Sequence, residues 1–506
     1  MDFTLDSGPA TTDVSPMLAD LKTPGEILDR ISIQKPDEIV ITTIMRDGCD
    51  DAITRQALTH RSDSMGQALR DADVRPGDFV PIHLPTCTDF LVATIAVFKA
   101  GGTPMPVSDR LPDSELAQLL ALAEPKVIIS RTLTAPVVLN PADFEASASS
   151  PSNLPVLISN PIKALASGGS TGKPKLIITT GDALFHPGKP IIPMLMRFEP
   201  TDLKYSPGPL YHNGPFWFSV NMLLRGGRIL LNERFNAAQC LHDIEAYRPT
   251  VLNLVPTMMQ RLLREDRWAV ADLSSVRVVW HLAAPCPAWA KEAFIEKLGE
   301  EVVLELWAAT EGNGLTIIDG AQWRSHRGSV GRPVGTDILI LDQERHPLPT
   351  GEIGEIFTRM AQAAPPCEYR GTQNLEVILD GYSSVGDMGW VDSEGYLYLA
   401  DRRTDLIISG GANIFPAEVE SVVTQHPKVK DVAVVGLKDD DLGRRVHAIV
   451  ESFDEADAPT IEELTNLCAD HLVKYKAPRS FELVRALPRN EAGKIRRSQL
   501  REERGG

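Results

Sequence analysis

One short stretch of the chain combines the residue types that bind a polyphosphate. It reads Ser-Gly-Gly-Ser-Thr-Gly-Lys-Pro-Lys. Glycines let backbone N–H groups converge on an anion, hydroxyls donate hydrogen bonds and lysines supply positive charge. The Walker A pattern does not fit, because Pro174 stands where that pattern needs Ser or Thr. The stretch favours a phosphate-binding loop over an ordinary Gly/Ser turn. The predicted contact residues are Ser167, Gly168, Gly169, Ser170, Thr171, Gly172 and Lys175.

Two more chemically distinctive loops follow predicted strands. Val276–Trp280 is followed by His-Leu-Ala-Ala-Pro-Cys-Pro, and Val302–Leu306 by Trp-Ala-Ala-Thr-Glu-Gly. Small residues let a flat ring approach the backbone, while a hydroxyl and a carboxylate suit phosphate and Mg²⁺. By themselves, Thr310 and Glu311 would fit a helix cap equally well.

The elements that must position these loops alternate between strand and helix. The predicted strands are Phe79–Leu84, Leu176–Thr180, Val251–Val255, Val276–Trp280 and Val302–Leu306, and the predicted helices are Asp89–Ala100, Met258–Leu263 and Trp289–Leu298. Such alternation predicts a largely parallel α/β sheet, in which ligands bind where the strands end. The last hundred residues predict a small α+β domain. Its predicted elements are the strands Val432–Val435 and Val446–Val450 and the helix Ile461–Leu472, capped by Thr460 with Glu463.

Composition restricts the classes of protein. A chain of 506 residues is long enough for more than one domain. The formal net charge of -17 argues against a nucleic-acid partner. The cysteines form no C-x-x-C pair, and the chain begins without the pattern of a signal peptide, so a cytoplasmic location is expected. No membrane span is expected either, because the apolar run Phe90–Phe98 is too short.

The phosphate loop closely resembles the signature of the adenylate-forming superfamily. This superfamily includes acyl-CoA synthetases, peptide-synthetase adenylation domains and luciferases. Further motifs follow in the family's order as far as Arg497. The resemblance implies an α/β fold with a large N-terminal domain of mixed, largely parallel sheets with helices over residues 1–401. It also implies a hinge over residues 402–405 and a small mobile C-terminal α+β domain over residues 406–506.

The resemblance gives the strand-end loops specific roles. The turn of Ala283, Ala284 and Pro285 matches the adenine-binding turn. The segment from Trp307 to Glu311 matches an aromatic-Gly-x-Thr-Glu motif, with an alanine in place of the glycine. In that motif the residue matched by Thr310 meets the α-phosphate, and the one matched by Glu311 holds Mg²⁺.

Other motifs imply the rest of the site. His212, in Pro-Leu-Tyr-His-Asn-Gly, would line the carboxylate pocket. Asp387 would bind both ribose hydroxyls, and Arg402 the ribose and phosphate. Lys494 matches the catalytic lysine, which bridges the carboxylate and the α-phosphate. In the thiol-transfer step, the hairpin over residues 409–415 would replace that lysine.

The implied reaction is ATP- and Mg²⁺-dependent, AMP-forming activation of a small-molecule acid, followed by transfer to the thiol of CoA. The Ser-Gly-Gly start of the loop and the His-x-Ala-Ala-Pro-Cys-Pro turn most resemble the bile-acid-CoA-ligase-like branch. No acidic residue lies between Asn213 and Leu224, which argues against an amino-acid substrate. Four aromatic residues favour an aromatic or bulky hydrophobic acid, although packing in the core would explain them as well. They are Tyr211, Phe216, Trp217 and Phe218.

Other acceptors and substrates stay open at this point. Some enzymes that resemble this branch are diazotases, which adenylate nitrite and transfer it to an aryl amine. Leu176 and Thr404 depart from the family's usual residues and would permit such a change. A carrier-protein thiol or an amine could also accept the acyl group. A non-enzymatic relic is disfavoured, because the chain retains all four residues matched to the central roles. These are Glu311, Asp387, Arg402 and Lys494.

Overall fold

The structure is a computed structural model that describes residues 20–45, 50–134, 137–144, 154–168, 174–187, 191–360, 367–375, 377–402, 405–410, 412–489 and 495–506, with the backbone alone at residues 167–168, 379, 401–402 and 413. The chain forms two compact units. The first contains Met1–Arg327, Gly331–Asp337 and Met360–Glu376. The second contains Gly328–Val330, Ile338–Arg359 and Val377–Gly506.

The helices and strands are numbered in chain order. The helices are α1 (Pro24–Gln34), α2 (Arg55–Asp71), α3 (Thr88–Ala100), α4 (Asp113–Ala123), α5 (Ile191–Leu195), α6 (Asn213–Arg225), α7 (Ala237–Tyr247), α8 (Pro256–Leu263), α9 (Ala288–Leu298), α10 (Gly320–Ser325), α11 (Pro416–Val423), α12 (Ile461–His471) and α13 (Arg497–Glu503). The strands are β1 (Ile39–Ile44), β2 (Asp50–Thr54), β3 (Phe79–His83), β4 (Thr103–Val107), β5 (Ile128–Ser130), β6 (Val138–Leu139), β7 (Lys163–Gly168), β8 (Pro174–Thr179), β9 (Leu203–Ser206), β10 (Arg228–Asn232), β11 (Val251–Leu254), β12 (Val278–Leu282), β13 (Val303–Ala308), β14 (Leu315–Asp319), β15 (Ser329–Pro333), β16 (Thr336–Leu341), β17 (Gly354–Met360), β18 (Glu368–Arg370), β19 (Asp387–Val391), β20 (Leu397–Arg402), β21 (Ile407–Ser409), β22 (Ala412–Ile414), β23 (Val429–Asp439), β24 (Gly443–Ser452) and β25 (Ser480–Val484).

The main sheet of the first unit is largely parallel. Its strands are ordered β2-β1-β10-β9-β11-β12-β13-β14. Neighbours from β1 to β13 run parallel, while β2 and β14 pair antiparallel with β1 and β13. The predicted fold class, with a large N-terminal domain built on such a sheet and a smaller C-terminal domain, is confirmed.

Short apolar runs form the buried elements of this unit. All of β11 is buried, as is every residue of α3, including the charged residues Asp89 and Lys99. Gly101 ends α3 at φ 83°, in the left-handed region that favours glycine. The predicted strands and helices of this region are therefore confirmed, with shifts of a few residues at their ends.

Two strand ends differ from the prediction. His281 belongs to β12, where it lies opposite Glu305 of β13, whereas the sequence predicted a loop from residue 281. Strand β13 continues to Ala308, so Trp307 also lies on a strand. Parallel pairing between β12 and β13 continues to Leu282 and Leu306, so it includes the polar residues His281 and Glu305. Thr310 and Glu311 lie in a turn, and no helix begins there in the described chain.

Two smaller sheets complete the first unit. Parallel strands form β4-β3-β5-β6, and antiparallel strands form β18-β8-β7. In the second sheet, Ser167 pairs with Lys175 and Ile177 with Tyr369. The two ends of the predicted phosphate loop therefore lie side by side, and the strand that follows it is confirmed.

The second unit contains the predicted small α+β region. Strands β23-β24-β25 form a sheet, and β21 and β22 form a hairpin. Helix α12 begins with a capping box: the Glu463 N–H donates to Thr460 Oγ1 at 3.1 Å, and the Thr460 N–H donates to Glu463 Oε2 at 2.7 Å. The two strands and the capped helix predicted for this region are confirmed. Residues 403 and 404 fall outside the described residues, so the hinge over 402–405 stays a prediction.

The described helices include none that is both long and apolar enough to cross a membrane.

Candidate active site

The ends of the predicted phosphate loop are held by a β-hairpin. Gly168 on β7 lies opposite Pro174 on β8, one residue pair beyond Ser167 and Lys175. The turn that joins the two strands, with the predicted contact residues Gly169, Ser170, Thr171 and Gly172, lies outside the described residues. Lys175 is therefore the predicted loop residue whose side chain the structure places.

Lys175 lies next to Glu311, which is only 8% exposed. The two side chains approach to 3.6 Å between Lys175 Nζ and Glu311 Oε1. Tyr369 completes the cluster, since its hydroxyl donates to the same oxygen at 2.5 Å and its ring centroid lies 3.9 Å from Lys175 Nζ. Burial and the nearby carboxylate raise the pKa of Tyr369, which keeps it a hydrogen-bond donor. The structure thus brings together two residues that are distant in sequence, and adds a third that the sequence analysis missed.

Glu311 fits a magnesium ion better than a metal with several protein ligands. No group of three or more His, Cys, Asp or Glu side chains in the described residues could hold a metal. Mg²⁺ is commonly bound by one or two carboxylates together with substrate phosphates. A single buried carboxylate beside a lysine and the end of a phosphate loop matches that ligand set.

The predicted adenine turn lies at the same sheet edge as the Trp307–Glu311 segment. Leu282, the last residue of β12, pairs with Leu306 on the parallel strand β13, which continues two residues further to Ala308. The turn after β12 and the segment after β13 therefore follow the carboxyl ends of neighbouring parallel strands. Ala283, Ala284 and Pro285 are exposed, and Ala283 has a φ of 76°. Thr310 is partly exposed beyond the end of β13. This edge is where ligands bind in parallel α/β sheets.

A buried polar group lies below the adenine turn. His281 is fully buried, with Nε2 at 3.9 Å from Glu305 Oε2. Lys291, from α9, places Nζ 2.7 Å from the same carboxylate oxygen. Burial lowers the pKa of His281 to about 4, although the nearby Glu305 charge acts in the opposite direction. The histidine is therefore neutral at physiological pH.

His212 lies at the start of α6, which packs against the end of β12. A Cβ added at Gly214 would lie 2.8 Å from Leu282 Cδ1, so the glycine allows this close approach. The His212 ring contacts Tyr211, with 4.6 Å between the centroids. Helix α6 therefore holds His212 near the edge that carries the adenine turn.

The four aromatic residues predicted to line an acid pocket divide into two pairs. Phe216 and Phe218 are buried and pack edge-to-face against Phe90 and Trp280, with 6.4 Å between the ring centroids in each pair. These two belong to the core. Tyr211 and Trp217 are only partly buried and stay candidates for the pocket.

Lys163 is a second residue that the sequence analysis missed. It opens β7 and is 4% exposed. Its ammonium donates a hydrogen bond to Asn213 Oδ1 and lies 5.0 Å from the centroid of the Trp217 ring. Burial lowers the pKa of Lys163 to about 7, and the negative charge of Glu311 acts in the opposite direction. Lys163 is the only charged residue of the buried strand segment Lys-Ala-Leu-Ala. A single charged residue in such a segment is the sequence signal that could have identified Lys163.

Within the second unit, Asp387 and Arg402 are partners on the antiparallel strands β19 and β20. Their predicted roles toward one ribose are compatible with this register. Lys494 lies outside the described residues.

The chain resembles known proteins over most of its length. A family model described as "AMP-binding enzyme" matches residues 29–365, and one described as "AMP-binding enzyme C-terminal domain" matches residues 418–494. Feruloyl-CoA synthase of an Amycolatopsis species is 31% identical over 469 residues, 90% of this chain and 94% of that one. The structure of o-succinylbenzoate CoA synthetase from Bacillus subtilis with the acyl-adenylate OSB-AMP has a TM-score of 0.82 and 26% identity, and the match covers 96% of this chain and 99% of that one. The same synthetase with ATP and a magnesium ion has a TM-score of 0.81 and 25% identity, with 95% and 99% covered.

Proposed function

The chain belongs to the AMP-binding enzyme family, and from this premise we propose that it activates an aromatic or bulky hydrophobic carboxylic acid. The enzyme is an AMP-forming acid–thiol ligase that uses ATP, Mg²⁺ and CoA. The carboxylate attacks the α-phosphate of ATP, which gives an acyl-adenylate and releases pyrophosphate. The thiol of CoA then attacks the acyl carbon and AMP leaves.

The cluster of Lys175, Glu311 and Tyr369 is the observation that carries this proposal. In the first step two anions must meet, so the protein must neutralise charge and align the reactants. Lys175 would bind the β- and γ-phosphates together with the loop. Glu311 would hold Mg²⁺, which supplies positive charge to the phosphates when bound. Tyr369 would orient this carboxylate, because its hydroxyl donates to Oε1 at 2.5 Å.

The preference for a ring-bearing acid rests on the start of helix α6. His212 would face the carboxylate, while the partly buried rings of Tyr211 and Trp217 would flank an aromatic or bulky body. Aromatic side chains offer large apolar contact areas and prefer offset or edge-to-face packing with other rings. The names of the two similar enzymes, for feruloyl and o-succinylbenzoyl groups, support the same substrate class.

We assign the remaining roles to the second unit. Asp387 would accept hydrogen bonds from both ribose hydroxyls, and Arg402, its cross-strand partner, would contact the ribose and phosphate. Lys494 would bridge the carboxylate and the α-phosphate in the first step. Rotation at residues 402–405 would then exchange it for the hairpin over 409–415.

The test is AMP release from ATP with a panel of acids, with and without CoA. Benzoate-type, steroid-like and medium-chain acids are compared with nitrite. AMP formation that depends on a ring-bearing acid, and a thioester that appears only with CoA, are expected. AMP formation with nitrite that is indifferent to CoA and stimulated by an aryl amine would instead identify a diazotase. If a thioester formed only with a carrier protein, or an amide only with an amine, that acceptor would replace CoA in the proposed reaction.

We also place the enzyme in the cytoplasm. The described cysteines are free thiols, as expected for a reducing compartment. The test is fractionation of the source cells. The enzyme is expected in the soluble cytoplasmic fraction.

A further inference from the structure

Lys163 is a buried cation without an acidic partner in the described part of the chain. Its side chain meets the amide oxygen of Asn213 and the face of Trp217, and neither carries a charge. Lys291 of the same unit, by contrast, is a buried lysine that is paired with a carboxylate, with Nζ 2.7 Å from Glu305 Oε2. Among the described residues, no carboxylate lies within ion-pair distance of Lys163.

This arrangement is unfavourable for the protein alone. A buried charge without a counter-ion carries a desolvation penalty that one neutral hydrogen bond and one aromatic ring offset only in part. Glu311 is the carboxylate that acts on Lys163 through space. Glu311 is already engaged by Tyr369 and Lys175, and its assigned role is to hold Mg²⁺. The charge of Lys163 is therefore left for another anion.

We propose that Lys163 binds an anionic oxygen group of the acid substrate in a pocket formed with Asn213 and Trp217. The inference rests on the proposed function and adds a specificity residue to it. Asn213, the hydrogen-bond partner of the ammonium, directly follows in sequence the residue assigned to the acid's carboxylate, His212. The substrate would supply the counter-ion that the fold omits, and the Trp217 ring would limit the width of the pocket.

The anionic group has two possible sources, which the acid panel distinguishes. The first is the reacting carboxylate, or nitrite in its place. The second is a further acidic group on the same acid. Benzoate carries only the first kind and phthalate carries both, so the two acids separate the cases.

The principal variant is Lys163→Met, which keeps an unbranched side chain that is one atom shorter and removes its charge. We expect the KM for the acid to rise at least ~30-fold, because a buried charge–charge contact is lost, with the KM for ATP unchanged. The melting temperature should stay the same or rise, since removing an uncompensated buried charge is neutral or stabilising. The acid should also no longer raise the melting temperature of the variant.

Lys204→Met is the matched control. Lys204 is likewise fully buried and donates to a neutral group, Ser219 Oγ, at 3.1 Å. Its replacement should leave the KM for the acid unchanged. An equal increase in the KM for the acid in Lys163→Met and Lys204→Met would mean a general effect of removing buried lysines and would overturn the proposal.

Asn213→Asp is a second, independent variant. It places a carboxylate against the Lys163 ammonium and so supplies the missing counter-ion from the protein. The KM for the acid should rise while the melting temperature increases.

Higher KM values for benzoate and phthalate alike in Lys163→Met would assign Lys163 to the reacting carboxylate, and an increase for phthalate alone would assign it to the second acidic group. Unchanged KM values for every acid would refute the inference, whereas a wild-type enzyme that forms no AMP with any acid would refute the proposed function itself.

Discussion

The hydroxyl of Tyr369 donates a 2.5 Å hydrogen bond to Oε1 of Glu311, across 58 residues of sequence. Strand β18 makes this possible, because it pairs with β8 and lies beside the end of the phosphate loop. The contact holds one carboxylate oxygen of Glu311, the residue that we propose as the ligand of Mg²⁺. A tyrosine that holds a metal ligand in place is expected to affect metal affinity more than it affects chemistry.

Glu311→Gln tests the metal assignment. The amide keeps the size of the side chain but lacks the negative charge that Mg²⁺ requires, so AMP formation should fall about 10²–10³-fold, as for loss of one aimed electrostatic group. Steady-state rates are measured over a range of Mg²⁺ concentrations.

Tyr369→Phe is the companion variant. It should raise the Mg²⁺ concentration needed for half-maximal rate and leave the rate at saturating Mg²⁺ close to wild type. If Glu311→Gln retained a normal response to Mg²⁺, the carboxylate would not be the metal ligand.

His281 gives the folded protein a predictable weakness in acid. Its pKa is lowered from 6.5 to about 4 by burial, so between these values the unfolded chain binds a proton that the folded chain does not. Its contribution to the free energy of unfolding is complete above pH 6.5 and is lost as the pH falls towards 4. The loss should be about 1.4 kcal/mol per pH unit across this window.

His281→Leu removes this titration. Unfolding of both proteins is followed from pH 7 to pH 4.5, and the difference in melting temperature is plotted against pH. The melting temperature of the variant should rise relative to that of the wild type as the pH falls. A difference that stays constant across the range would show that His281 is not buried as a neutral group.

Local sequence patterns predicted the helices and strands well. Contacts that depend on pairing between distant strands could not be predicted from the sequence. The capped helix α12 and the strand after the phosphate loop could be read from short stretches, because their signals lie within a few residues. Tyr369 could not, since it reaches Glu311 only through the pairing of β18 with β8. Pairing between strands depends on the whole sheet, and no nearby residue encodes it.

The aromatic residues of α6 show a second limit. Phe216, Trp217 and Phe218 are consecutive, so a helix must point them in different directions. Phe216 and Phe218 face the core, whereas Trp217 is partly exposed and contacts Lys163. The pattern of aromatic residues favoured a pocket lined by all of them, but the packing of the helix decides which rings belong to the core.

Thr460→Ala should weaken the start of α12. The variant loses the side-chain acceptor of the Glu463 N–H, and such caps contribute about 1 kcal/mol. Hydrogen exchange of the α12 amides is the appropriate measurement, because a chain of two units need not unfold in one step. Faster exchange confined to this region is expected.

Thr465→Ala is the control within the same helix. Thr465 Oγ1 donates to the carbonyl of Ile461 at 2.7 Å and does not cap the helix. Alanine has the higher helix propensity, so this variant should exchange at the wild-type rate or more slowly. Faster exchange in Thr465→Ala than in Thr460→Ala would contradict the role of the cap.

Asp387→Ala should raise the KM for ATP and change the KM for the acid little. Asp387 is paired across strands with Arg402, and its carboxylate is assigned to both ribose hydroxyls. Loss of two hydrogen bonds to a charged acceptor corresponds to roughly 3–6 kcal/mol, or about 10²- to 10⁴-fold in apparent affinity. ATP analogues without the ribose hydroxyls should bind the variant and the wild type equally. An unchanged KM for ATP would remove Asp387 from the ribose site.

Lys494→Ala separates the two half-reactions. The lysine is assigned to the bridge between carboxylate and α-phosphate, so its loss should abolish adenylation, measured as acid-dependent exchange of pyrophosphate into ATP. Thioester formation from supplied acyl-adenylate and CoA should stay near the wild-type rate, because the lysine has no assigned role in that step. Lys474→Ala, an exposed lysine of the second unit, serves as the control and should support both half-reactions. Equal loss of the two half-reactions in Lys494→Ala would contradict an exchange of this lysine for the 409–415 hairpin, and would place Lys494 in a site shared by both steps.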